Sequence, residues 1–189
     1  MQMKSSDTLW HRRPVGADAQ MRQWLLDRGS LTRRIQQRST RFHVDLIRMM
    51  RTPAGRDECA LIETAAYDCC AVREVALHSD GVAVVFAHSV ASRRALKGPW
   101  RLLLTLGTRP LGAALFADPR VARQPLHFRR IRRGHALFEA AAHLLEKVPS
   151  SMWARRSLFV FRGSRLLVDR KSTRLNSSHT DISRMPSSA

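Results

Sequence analysis

The chain has 189 residues, 33 basic and 15 acidic, with a formal net charge of +18, and 29 of the basic residues are arginine. That length suits one domain able to bury roughly two thirds of its unfolded surface without covalent staples, and Cys59, Cys69 and Cys70, in neither C-x-x-C nor zinc-ribbon spacing, exclude a disulfide framework and fit a reducing cytoplasm. The longest apolar run, Val82 to Ala87, is far short of a membrane span and M-Q-M-K-S-S-D lacks a signal peptide's apolar core, so a soluble, unexported protein is expected.

From Ala19 to Arg28, Met21, Trp24 and Leu25 recur at helical spacing, which predicts a short amphipathic helix ended by Gly29. Ser30 then caps a second helix, S-L-T-R-R-I-Q-Q-R, whose Leu31 and Ile35 give it a narrow inward stripe. R-F-H-V-D-L-I-R follows, and Phe42, Val44 and Leu46 alternate there with His43 and Asp45 as in a half-buried strand. Residues 51 to 60 are expected to form a polar loop around Pro53 and Gly55. The segment onward to Cys70 reads equally as helix or irregular chain.

V-R-E-V-A-L-H, the turn Ser79-Asp80-Gly81 and V-A-V-V-F-A-H-S-V form the clearest hairpin, because Asp-Gly supplies the positive dihedrals a tight turn wants. Within it, Arg73 shares a strand face with Val75 and Leu77, so period-two alternation sends its guanidinium toward an apolar face. A guanidinium cannot shed its proton, and a buried unpaired charge costs roughly several kcal/mol, so an anion should meet it. Either an internal Asp or Glu supplies that anion or a ligand does.

Trp100 to Leu106 reads as a short apolar helix stopped by Gly107. Pro110 and Gly112 then flank Leu111 in a combination that breaks regular structure and can bare backbone N–H groups. Leu126 to Arg133 is expected to be a strand. From His135 to Val148, Leu137, Ala141, Leu144, Leu145 and Val148 trace one helical face, with Lys147 in the final turn and Pro149 beyond it. S-L-F-V-F, the turn R-G-S-R and L-L-V-D close the chain's regular part as a second hairpin. Hairpins without β-α-β alternation imply an α+β fold, an antiparallel sheet with helices packed on it. Residues 1–170 are read as one domain. Residues 171–189, six of them serine and without a period, are read as a disordered tail, and removing them still leaves 30 basic against 14 acidic residues.

Familiar catalytic signatures are absent: there is no G-x-S-x-G, G-x-x-x-x-G-K or G-x-G-x-x-G. His135 and His143 lie two helical turns apart, and His127 and His88 lack acidic or thiol neighbours at ligand spacing, so these histidines read as structural or exposed and no metal is expected. Trp153, Phe159 and Phe161 read as core. Arg155-Arg156, placed just before the last hairpin, reads as a solvated pair. The run Arg129, Arg130, Arg132 and Arg133 reads as a charged strand edge, since no helix-turn-helix, finger or stacking platform accompanies it. The charge favours an anionic partner without choosing among nucleic acid, membrane surface and a small polyacid.

Four segments taken together, W-L-L-D-R-G-S-L-T-R-R (24–34), V-R-E-V-A-L-H-S-D-G (72–81), L-G-T-R-P-L-G-A-A-L-F (106–116) and M-W-A-R-R-S-L-F-V-F-R-G-S-R-L-L-V (152–168), resemble the chorismate pyruvate-lyase family in wording and order. The resemblance covers roughly residues 10 to 169. It implies a six-stranded antiparallel sheet with helices over it, an active site closed beneath helical flaps, and cleavage of chorismate to 4-hydroxybenzoate and pyruvate at the start of bacterial ubiquinone synthesis, without metal or organic cofactor. It also implies a cytoplasmic monomer acting on a small molecule, with no specific nucleic-acid partner. Chorismate carries two carboxylates, which would give the basic composition and the inward Arg73 a common explanation. The family's ring-carboxylate ligand falls on Arg73, assisted by the backbone of Leu111, and Leu31 falls where many members place methionine against the ligand ring.

One departure stands out. After L-L-V the family continues with a glutamate that contacts the ring hydroxyl and an ending like F-L-P; here the glutamate position holds Arg170, on the face of Leu166 and Val168, and the tail resembles translated vector or adaptor sequence. A damaged lyase with weak or no turnover is the resulting expectation. The rivals are a non-catalytic binding module for a small cyclic or aromatic acid, like the effector domains of some bacterial transcription regulators, and a nucleic-acid-binding protein. The first would ordinarily follow a DNA-binding domain, and only about eighteen residues precede the first predicted helix.

Overall fold

A computed structural model describes residues 10–172. Helices α1 (Ala19–Leu26) and α2 (Leu31–Gln36) lead into strand β1 (Phe42–Pro53), the four-residue helix α3 (Arg56–Cys59) and the hairpin β2 (Cys69–Ser79) and β3 (Val82–Ala91). Helix α4 (Arg93–Leu96), a 3-10 turn at Arg101–Leu104 and α5 (Leu111–Ala117) come next, then β4 (Ala122–Arg123), β5 (His127–Ile131), α6 (Ala136–Ala142) and the closing hairpin β6 (Met152–Phe161) and β7 (Ser164–Ser172). The strands form one antiparallel sheet in the order β1-β2-β3-β7-β6-β4, with β5 also paired to β6. The expected α+β architecture is present, with seven strands where about six were expected because the two-residue β4 adds one.

The β2-β3 turn follows its residue types, Asp80 and Gly81 having φ of 50° and 83°, whereas in the β6-β7 turn Arg162 takes a φ of 49° beside Gly163 at 71°. Two successive positive dihedrals match the right-handed twist of the flanking strands. Helices cover both faces of the sheet. On one, α2 packs on Val44, Val75, Leu77 and Ala87, and the α4-to-α5 segment packs on Ala71, Ala91, Leu166 and Val168. On the other, α3 lies over Val72, Val90 and Leu167, and α6 over Phe86, Met152 and Ala154.

Several expectations need correction. The loop over 51–60 is instead the end of β1 and all of α3, because Gly55 leads a capping box in which the Glu58 carboxylate returns to the Gly55 N–H at 2.8 Å. The break around Pro110 is a helix start: Pro110 is the N-cap of α5, a place where its missing N–H removes no helical bond. The helix from His135 to Val148 ends at Ala142, where Leu144 and Leu145 bond three residues back to Ala141 and Ala142, tightening the chain out of the helix while both leucines keep packing on α6's core. Most consequential, β6 starts at Met152, so Arg155 and Arg156 lie inside a central strand, each 3% exposed, and are not a solvated pair. Strand β7 continues through Lys171 to Ser172, and the expected tail from residue 173 onward lies outside the described residues.

Candidate functional site

Arg73, Arg123, Arg155 and Arg170 bring four guanidinium groups to the face covered by α1, α2 and α5. Arg73 is 2% exposed; its Nη2 donates to the carbonyl oxygens of Gly107 at 2.7 Å and Arg109 at 3.0 Å, and its Nε has no partner among the described residues. Burial pushes its pKa down to about 10. Of the two anion sources left open by the sequence, an internal carboxylate is not the one used: among the described residues no Asp or Glu pairs with Arg73, and its neighbour Glu74 points to the opposite face. Two carbonyl acceptors aim the group without neutralising it.

Arg170 pairs across the sheet with Ala87 and Arg155. It is buried, its Nη1 lacks a partner among the described residues, and burial followed by the charge of Arg123 takes its pKa down to about 10. Arg155 donates from Nη1 to the carbonyls of Trp24, Leu25 and Asp27 at 3.3, 3.2 and 2.8 Å, binding the end of α1, while its Nη2 has no partner among the described residues. Burial, then Arg170 and Arg123, hold its pKa well below the arginine range. Arg123 reaches the Ser157 hydroxyl and the Arg28 carbonyl, each at 2.8 Å. The acid nearest this group, Asp27, is itself paired to Arg34 at 2.8 Å.

Between the sheet and the two covering helices lies a cavity of about 20 Å³, lined by Arg73, Arg170, Thr32, Ser89, Leu111 and Gly112 with apolar walls from Val44, Val75, Leu77, Ala87 and Val168. That is room for about one water, so any larger occupant needs α2 and α5 to part. Outside them a groove of about 860 Å³ shares Thr32, Pro110 and Gly112 with the cavity, so the same residues roof one and floor the other. Gly112 permits the closure: a Cβ there would stand 3.1 Å from the Ser30 hydroxyl and 3.2 Å from that of Thr32. The Ser30 cap on Arg33 N–H, at 3.3 Å, fixes the facing end of α2.

Of the residues singled out in the sequence, Arg73, Leu111 and Arg170 meet at this cavity. Leu31 does not line it; it is buried behind, against Val44, Val75 and Leu77. Thr32 and Ser89 were missed, being small residues without a periodic signal, and Gly112 reads only as a break in regular structure beside Leu111. A separate group, His43, Asp45 and His78, sits on the opposite face at the β1 edge, with the Asp45 Oδ2 3.6 Å from His43 Nε2 and 3.0 Å from His78 Nε2. Two imidazoles and a carboxylate could hold a divalent cation such as zinc, but all three serve only themselves there and none faces the cavity.

The family model described as chorismate lyase matches residues 6–171. A protein of Nitrosomonas europaea named probable chorismate pyruvate-lyase is 41% identical over 159 residues, 84% of this chain and 89% of that one. One of the same name from Aromatoleum aromaticum is 43% identical over 174 residues, 89% and 93% of the two chains. Among solved structures, the effector domain of PhnF from Mycobacterium smegmatis matches with a TM-score of 0.55 at 15% identity over 78% of this chain and 88% of that one. A GntR-family transcriptional regulator from Bacillus cereus matches with 0.55 at 7% over 74% and 96%. At such identities these two likenesses concern the fold alone. No helix among the described residues is long and apolar enough to cross a membrane.

Proposed function

We propose that this chain, which belongs to the chorismate lyase family, is organised to split chorismate into 4-hydroxybenzoate and pyruvate, the reaction that begins bacterial ubiquinone synthesis, as a cytoplasmic monomer. The observation that carries the reading is Arg73: a buried cation, aimed by two carbonyls, facing a cavity and paired with no carboxylate among the described residues. A substrate carboxylate completes it, and each charge-assisted hydrogen bond contributes on the order of 1.5–3 kcal/mol. The Leu111 backbone N–H would add a second donor, and Val75, Leu77, Ala87 and Val168 supply apolar contact for the ring.

With α2 and α5 resettled around the occupant they parted to admit, water is kept from the substrate. The bond from the ring to the enolpyruvyl oxygen breaks, the ring gives up a proton to become aromatic, and the departing enolpyruvate takes up a proton to become pyruvate. Atoms balance between one substrate and two products. Aromatisation drives the reaction, so orientation and desolvation are the protein's main contributions, and no metal or organic cofactor is needed.

Arg170 stands where the family has a glutamate for the ring hydroxyl, and it offers donors where an acceptor is required. This chain should therefore turn over weakly or not at all. The test is incubation with chorismate, following 4-hydroxybenzoate absorbance and pyruvate, beside Arg170→Glu with a family-like C-terminal ending. Strong activation of the variant supports the reading; no product from either protein refutes it. Binding of 4-hydroxybenzoate without turnover in the repaired variant would favour a non-catalytic acid-binding module, the reading closer to the regulator domains that share the fold.

A further inference from the structure

We infer that the cavity of this chain is a site for a dianion, in which Arg73 takes one acidic group and Arg170 the other, so that a rigid aromatic dicarboxylate is preferred to a phenolic monocarboxylate. The inference rests on the carboxylate-binding role given to Arg73 above. Its independent support is Arg170 itself: 6% exposed, lining the same cavity, with an unpartnered Nη1 and no ion pair to any acid among the described residues. Its Nη2 lies beneath the first turn of α5, 3.7 Å from where a Cβ on Gly112 would stand.

The sheet sets the spacing. Arg73 and Val168 both pair with Ser89, and Arg170 pairs with Ala87, so the two arginines are separated by two strand spacings and two residues. That places their Cα atoms roughly 12 Å apart on one face, and a benzene ring with carboxylates at opposite ends can present one to each guanidinium. Of the other charges nearby, Arg123 and Arg155 have the same sign and reinforce the requirement, while Asp27 is already held by Arg34. A phenol meets that requirement only by giving up its proton, which is unfavourable at neutral pH, so 4-hydroxybenzoate should bind weakly and, when bound, show the red-shifted absorption of its phenolate.

Calorimetric titration of the chain with benzene-1,4-dicarboxylate and with 4-hydroxybenzoate, at fixed ionic strength and pH 7, tests this directly. The expected result is at least tenfold tighter binding of the dicarboxylate. Arg170→Met should remove that preference and Arg170→Glu should invert it. A general attraction to the +18 chain predicts instead that Arg170→Met, which removes one charge, leaves the preference in place, and that result overturns the inference. So does equal affinity for the two ligands in the unaltered chain. If Arg170→Glu binds 4-hydroxybenzoate while the unaltered chain shows no dicarboxylate preference, the dianion site fails and the lyase reading stands. If folded preparations of all three proteins bind neither ligand, both fail.

Discussion

The two faces of the central sheet treat buried charge in opposite ways. On the face under α3 and α6, Arg48, Glu74, His88, Asp169 and Arg156 pair in register across β1, β2, β3, β7 and β6, a row of alternating sign. Each member has a partner. His88 places Nδ1 2.8 Å from Glu74 and Nε2 3.1 Å from Glu58, and Arg156 forks onto Asp169 at 2.9 and 2.6 Å while also reaching Asp57. One residue away in each of three strands, Arg73, Arg155 and Arg170 project to the other face, where no acid among the described residues pairs with them. The same backbone carries both patterns because successive strand residues point to opposite sides. A self-neutralised row has no charge left to offer a ligand, whereas uncompensated cations around a cavity demand one.

The contrast makes its largest prediction at Asp169. Asp169→Asn strips the bidentate partner from buried Arg156 and should destabilise the protein by about 3–5 kcal/mol, lowering Tm by roughly 10 °C. Arg73→Met on the opposite face removes a charge that has no acid to lose, at the cost of two carbonyls without their donor. Its effect on the ligand-free protein should stay within about 1 kcal/mol of zero, since removal of a buried orphan charge offsets the lost hydrogen bonds. Urea denaturation of the two variants measures both. A neutral Asp169→Asn beside an unfolded Arg73→Met would reverse the assignment of structural and binding faces.

The next effect in size is the pH response of the paired row. Burial alone would lower the His88 pKa, but its contacts with Glu58 and Glu74 win and raise it to about 9. The folded state thus holds a proton that the unfolded chain releases, so the contribution of His88 is complete below its ordinary value near 6.5 and is lost as pH rises through 9. Glu74, raised by burial but pulled down to about 2 by His88 and Arg48, loses its contribution as pH falls below the ordinary carboxylate range. Stability measured from pH 5 to pH 10 should therefore fall more steeply in the unaltered protein than in His88→Gln, the difference amounting to about 2–3 kcal/mol. Parallel curves for the two proteins would mean that His88 is not the proton the row holds.

How much of this was legible in the sequence follows from how local each signal is. The β2-β3 hairpin and the inward Arg73 were readable because alternation and an Asp-Gly turn are written within about ten residues. The Ser30 cap was readable for the same reason. Arg155-Arg156 was not: two adjacent arginines carry no apolar alternation, and their burial depends on acids and carbonyls contributed by α1, α3 and β7. The cavity's polar lining had a similar fate, since Thr32, Ser89 and Gly112 matter through close approach of α2, β3 and α5 rather than through pattern. The four-segment family resemblance supplied the carboxylate role for Arg73 that physical reading left as a choice between two partners.

Lys171 tests, with a smaller effect than His88, whether pairing is general on the acid-bearing face. It points to that face but stands outside the ionic row, 1% exposed, its amine without a hydrogen-bond partner among the described residues and 4.7 Å above the Phe86 ring, among the residues packed on α6. Burial brings its pKa down to about 7, only partly resisted by Asp169, Glu74 and Glu139. The unfolded chain takes up a proton between pH 7 and the ordinary lysine value of 10.5 that the folded state refuses, so Lys171 costs stability at neutral pH and less as pH rises through that window. Lys171→Met keeps the volume and the contact with Phe86 and removes the amine. It should stabilise the protein by about 1–3 kcal/mol at pH 7, after loss of the cation–π contact is deducted, with the gain fading toward pH 10. A loss of stability at pH 7 would instead mean that the ammonium has an anionic partner, and the acid-bearing face would then be neutralised throughout rather than along a single row.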